Sequence, residues 1–167
     1  MNRAENGVSG QNLQALLQEG LRAHQAGQLP GAEAAYRKIL NADPEHPEAL
    51  GLLGAIALAR SHHEAAVEMI YAAIAVKPDY TEAYINLSTA LIAMARFEEA
   101  LASLEQALTL DPDSAEAHSN KGVILMKQDR PDDAVASYRR AIALNPDYAK
   151  AHTNLGGALK ETGRLED

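Results

Sequence analysis

The chain has 167 residues, 47% of them apolar, with one Phe, no Trp and no Cys. A formal charge of −8 argues against nucleic acid or an anionic membrane surface as the main partner. The lack of cysteine excludes disulfides and thiolate metal sites, and no apolar run approaches the ~20 residues of a membrane span.

In chain order, residues 1–12 come first and read as a disordered N-terminal arm. They begin MNRAENGVSG, without periodicity and without the apolar centre of a signal peptide, so the protein is expected to be cytoplasmic. From Leu13 the chain repeats. Pro44, Pro78, Pro112 and Pro146 are spaced 34 residues apart, each inside a copy of one corner: Asp43-Pro44-Glu45, Lys77-Pro78-Asp79, Asp111-Pro112-Asp113 and Asn145-Pro146-Asp147. Self-similarity at such a period marks a solenoid. The register gives repeats 13–46, 47–80, 81–114 and 115–148, and a partial fifth at 149–167.

Each repeat reads as two helices. In the third, Tyr84, Leu87, Leu91 and Met94 set helical spacing for helix A, from Thr81 to about Met94. Helix B runs from about Phe97 to Leu110, with Ala100, Leu101, Leu104, Ala107 and Leu108 on one face. So short a link forces the two helices antiparallel and adjacent. Gly27 and Gly163 fall where helix A should end in a left-handed residue. Pro30 and Pro131 open helix B, where a missing N–H costs little. The four corner prolines close it.

Small residues recur in register. Gly20, Gly54, Ser88, Gly122 and Gly156 hold the eighth position. Ala32, Ala66, Ala100 and Ala134 hold the twentieth, and Ala73, Ala107 and Ala141 the twenty-seventh, with Ile39 in the first copy. A residue without bulk at each contact lets helix axes approach to about 8 Å.

This pattern resembles the tetratricopeptide repeat (TPR): large at 4, small at 8, Ala at 20, large at 24, Ala at 27, Pro at 32. Tyr84-Ser88-Ala100-Leu104-Ala107-Pro112 carries it, as does Gly122-Ala134-Tyr138-Ala141-Pro146. The resemblance covers residues 13–167 as one TPR domain. It implies an all-α, right-handed superhelix of antiparallel helix pairs, four full repeats plus a partial fifth, with the A helices lining the concave face. Position 7 departs from its usual Leu at Glu19 and Lys121, and His118 and His152 occupy position 4. The Lys121 stem can lie over apolar surface with its amine in water. The later copies also resemble the arrays of O-linked N-acetylglucosamine transferases and their bacterial relatives. That likeness rests on Ala117-His118-Ser119-Asn120, Ala151-His152-Thr153-Asn154-Leu155-Gly156, Leu159-Lys160-Glu161 and Gly163-Arg164-Leu165-Glu166.

Asn86, Asn120 and Asn154 stand one per repeat at position 6. Successive A helices about 10 Å apart would offer one carboxamide to every third residue of an extended peptide, at roughly 3.3 Å per residue. A carboxamide donates and accepts, so it can grip a peptide group without reading sequence. In the transferase arrays the equivalent row binds polypeptide backbone, and the resemblance carries that role to these three residues. Lys127, Lys150 and Lys160 add a basic strip on an acidic protein, suited to acidic segments of a partner. The Lys and Arg set of the family's carboxylate clamp is not found.

No catalytic constellation, cofactor loop or metal set is read. His62-His63-Glu64 lacks a second His four residues on, since Val67 stands there. The readings are therefore a protein or peptide interaction module, a substrate-recognition arm of a larger glycosyltransferase-like enzyme, or a self-assembling scaffold. The last would use the C-terminal helix, where Leu155, Ala158 and Leu159 are expected to lie uncovered and to support a homo-oligomer.

Overall fold

A computed structural model describes residues 10–163. Among the described residues there are nine helices and no strand: α1 (Gly10–Gln25), α2 (Leu29–Ala42), α3 (Pro47–Ala59), α4 (His63–Val76), α5 (Thr81–Ala93), α6 (Phe97–Leu110), α7 (Ala115–Lys127), α8 (Pro131–Leu144) and α9 (Ala149–Glu161). Odd-numbered helices are the A helices of the repeat and even-numbered ones the B helices. Residues 1–9 of the expected arm, and Arg164 to Glu166 of the transferase-like motif, lie outside the described residues. The arm's last three residues, Gly10, Gln11 and Asn12, form the start of α1, because a nucleated helix extends at one hydrogen bond per residue added.

The chain forms two compact units, one ending at Pro78 and one beginning at Asp79. The first holds hairpins α1–α2 and α3–α4; the second holds α5–α6, α7–α8 and the single helix α9. In the first unit Ala32, Tyr36, Ile39, Ala49, Leu53 and Ile56 form a buried core. In the second, Leu125, Ala134, Val135, Tyr138, Ala158 and Leu159 do so.

Three of the hairpins close on a contact between positions 8 and 24. The Cα of Gly20 lies against the Tyr36 ring with no room for a methyl group. At Gly54 an added Cβ would lie 2.5 Å from Ile70 Cγ1, and at Gly122 it would lie 2.5 Å from Tyr138 Cε1. In the third hairpin position 8 is Ser88 and position 24 is Leu104; both are buried, and the Ser88 hydroxyl donates to the Ile85 carbonyl at 2.7 Å. Gly156 has open space around it.

The A-to-B turns share one backbone form. Gly27, Ser61, Ala95, Asp129 and Gly163 all have positive φ, between 56° and 73°. In the third repeat the Arg96 N–H donates to the Leu91 carbonyl at 2.9 Å and the Ala95 N–H to Ile92 at 3.0 Å. This is the Schellman closure, repeated at Gly27–Gln28, Ser61–His62 and Asp129–Arg130. The B-to-A corners are clasped by position 4: His118 Nε2 meets the Pro112 carbonyl at 2.9 Å and His152 Nε2 the Pro146 carbonyl at 2.7 Å. A carbonyl only accepts, so Nε2 carries the proton in both.

The expectation that Leu155, Ala158 and Leu159 lie uncovered is corrected. Ala158 is fully buried, Leu159 is 9% exposed, and Leu155 packs part-buried against the same cluster. The physical reason is that α9 rests on α8, turning its apolar stripe onto Val135 and Tyr138, while Gly156 and Gly157 face outward.

Two outcomes follow from the closing contacts. Gly122→Ala should destabilise the protein by about 1–3 kcal/mol, since the Tyr138 ring must move. Gly156→Ala, at the same repeat position, should stabilise it by roughly 0.5–1 kcal/mol, as Ala does inside a helix with free space. Urea unfolding of both variants checks the opposite signs. Burial pushes the Tyr138 phenol up to about 12 from 10.0. The folded state thus holds this proton more tightly than the unfolded one. Its contribution is complete below about pH 10 and is lost as pH rises through about 12. Thermal melts between these limits should fall less steeply in Tyr138→Phe than in the wild type.

Candidate functional site

At 100° per residue, positions 2, 5, 6, 9, 12 and 13 of an A helix fall on one arc of about 120°. In the second unit this arc carries Asn86 on α5, Asn120 and Lys127 on α7, and Asn154, Lys150 and Lys160 on α9. α5 packs on α7 and α7 on α9, so the three arcs adjoin.

The three asparagines are not equivalent. Asn86 and Asn154 are partly exposed. Asn120 is 1% exposed, and its Nδ2 donates to Thr89 Oγ1 of α5 at 3.0 Å. Thr89 in turn donates to the Ile85 carbonyl at 3.1 Å. Position 9 of one A helix thus meets position 6 of the next, and Asn120 ties α5 to α7 beneath the surface. A uniform row of three free carboxamides is therefore corrected to two surface carboxamides flanking a buried brace. The sequence hint was Thr89 itself, the first polar residue at position 9, after Leu21 and Ala55.

Lys127, Lys150 and Lys160 are all exposed. Lys127 and Lys160 sit in the last turns of α7 and α9, where the helix end is negative. None of the three is in an ion pair among the described residues. Glu48, at position 2 in the first unit, shows the paired alternative. Burial raises its carboxyl, but the Lys77 ammonium, hydrogen-bonded at 3.0 Å, a backbone hydrogen bond and the His46 charge together hold it below its ordinary value. Glu116 in the first turn of α7 stands near Tyr148, whose phenol is raised by burial and by that negative charge, against a smaller opposing pull from Ser119.

Lys121 lies off the arc. It is half-buried in a cleft of about 390 Å³ between α6 and α8, with Leu101, Leu125, Glu105 and Asp133. The equivalent cleft in the first unit, about 160 Å³, is floored by Leu53 and lined by Met69. There Arg60 reaches across to Glu33 at 2.6 Å. Lys121 and Ser137 stand where Leu53 and Met69 do in the first unit. His62 precedes α4 and His63 begins it, and His118 and His152 each serve their own corner.

The chain matches the tetratricopeptide repeat family over residues 17–82, 115–148 and 137–167, and the TPR repeat over residues 89–129. It belongs to the TPR family, and its fold class is the expected all-α helix-pair solenoid. No curated relative matches the chain as a sequence. Among solved structures, a MamA protein is similar at 25% identity and a TM-score of 0.76, over 95% of this chain and 86% of that one. A thermophilic TPR protein of Thermus thermophilus is similar at 27% identity and a TM-score of 0.79, over 92% and 84%. Cut9, from a Cut9–Hcn1 hetero-tetramer of APC/C, shares the fold at 20% identity and a TM-score of 0.82, over 88% of this chain and 30% of that one. No helix among the described residues is long and apolar enough to cross a membrane.

The buried brace has a measurable signature. Asn120→Ala should cost about 1–3 kcal/mol, the range for removing a buried hydrogen-bond partner. Thr89→Val should cost less on that background than alone, with a coupling of about 0.5 kcal/mol or more. A double-mutant cycle by chemical unfolding measures it.

Proposed function

We propose that this chain is a protein–protein interaction module, a reading the TPR fold supports because stacked hairpins present an extended surface. We propose, more narrowly, that the second unit holds an extended segment of a partner protein along the adjoining arcs of α5, α7 and α9. What supports this is the exposure of Asn86 and Asn154 on those arcs, two A helices apart. An extended backbone running across the helices can bond the carboxamides at both ends while passing over the Asn120 brace. Each such bond contributes only about 1 kcal/mol net, so affinity comes from contact with several repeats at once.

The test begins with peptides selected from a random extended-peptide library against the intact chain. Their binding is then mapped by amide chemical-shift changes. The reading predicts changes concentrated on α5, α7 and α9, and about a tenfold or greater loss of affinity in Asn86→Ala/Asn154→Ala with helicity intact. Changes confined to α6 and α8, or an unaltered affinity in the double variant, would contradict it.

A further inference from the structure

We infer that the cleft between α2 and α4 in the first unit is a binding site for a small monocarboxylate with an apolar body. It is separate from the face formed by α5, α7 and α9 and does not rest on that reading.

Two arginines converge on one glutamate at this cleft. Glu33 of α2 meets Arg37 through Oε1 and Arg60 through Oε2, each at 2.6 Å, and its side chain is only 15% exposed. Both carboxylate oxygens are engaged. Each guanidinium engages through a single Nη and has further N–H donors to offer. The other lining residue able to carry charge is His62. With His62 neutral, the lining holds two cations and one anion, an excess that a single carboxylate neutralises. Arginine N–H donors suit that group, because charge-assisted bonds to a carboxylate can form in parallel pairs. Glu64 and Glu68 of α4 are not part of the lining. At 100° per residue they lie about 60° or more around the helix from Ala65 and Met69, which are.

Below the charges the cleft is apolar. Leu53, Ile56 and Ala57 of α3 form its floor and Met69 of α4 a wall. A few convergent polar groups over an apolar floor is the usual build of a small-ligand site. The volume of about 160 Å³ is roughly five times the 30 Å³ share of a water molecule in the liquid. That holds a carboxylate with a short hydrocarbon chain. A phosphate monoester brings about −1.5 to −2 charges at neutral pH, more than the excess here, and would sit against Glu33. The equivalent cleft of the second unit supplies an internal comparison. There Lys121 and Arg130 are offset by Glu105 and Asp133. Glu105 holds position 25, where the first unit has Arg37. One site of the repeat is thus neutral in one unit and cationic in the other.

Amide chemical-shift titration of the intact chain tests this, with hexanoate, hexanamide, acetate and inorganic phosphate as probes at constant pH and ionic strength. Hexanoate should give saturable changes on α2, α3 and α4 near the cleft. Its dissociation constant should be about 1–10 mM, within reach of a ligand of about eight non-hydrogen atoms. Hexanamide and acetate should each bind about tenfold or more weakly, the first lacking the charge and the second the apolar body. Arg37→Gln/Arg60→Gln, with helicity intact, should lose about tenfold for hexanoate and leave hexanamide within about twofold. Glu33→Gln should tighten hexanoate several-fold, a gain that a purely structural ion-pair triad would not produce. Non-saturating changes, or changes centred on the α6–α8 cleft, overturn the site. Equal binding of hexanoate and hexanamide overturns carboxylate recognition. Phosphate that binds as tightly as hexanoate overturns the preference for a monocarboxylate with an apolar body.

Discussion

Contact between a residue without bulk at position 8 and a large side chain at position 24 is the constraint from which the rest of this molecule follows. Three times, Gly20 against Tyr36, Gly54 against Ile70 and Gly122 against Tyr138, the ring or branch lies where a Cβ would otherwise be. Helix B can then press onto helix A at close range, and the buried alanines at 20 and 27 keep that range along the hairpin. With the hairpins this tight, one A helix packs directly on the next in the second unit, and side chains at positions 6 and 9 can bridge them. The Asn120–Thr89 hydrogen bond exists only because α5 and α7 are brought that close.

Much of this was legible in the chain. The corner prolines fixed the period, the small residues fixed the hairpin contact, and helix ends expected at Thr81 and Leu110 are where α5 begins and α6 ends. The turn glycines were legible at Gly27 and Gly163, but Ser61, Ala95 and Asp129 adopt the same left-handed conformation without the residue that signals it. Two backbone hydrogen bonds close the Schellman turn whatever the side chain, so they offset the roughly 1–2 kcal/mol that a Cβ costs there. The local sequence carries no mark of that compensation.

The site was legible by helix and less so by depth. Helical spacing puts Asn86, Asn120 and Asn154 on the same arc, but it does not tell a surface carboxamide from one covered by the next helix. Burial of Asn120 depends on Thr89, 31 residues away, and on how closely two A helices approach. The same limit applies to α9. Its apolar stripe looked uncovered because its own helix B partner was missing, yet Val135 and Tyr138 of the previous hairpin cover it. The histidines at position 4 took a role no motif announced, holding the prolyl carbonyls of the corners before their helices.

If hairpin closure at positions 8 and 24 governs local structure, emptying one contact should loosen its own hairpin first and weaken the others only through their neighbours. Native-state amide hydrogen exchange on Tyr138→Ala tests this most directly. Exchange should accelerate most in α7 and α8, then in α9, while α1 and α2 keep their wild-type rates. An equal acceleration in every helix would show a single cooperative globule and contradict the account.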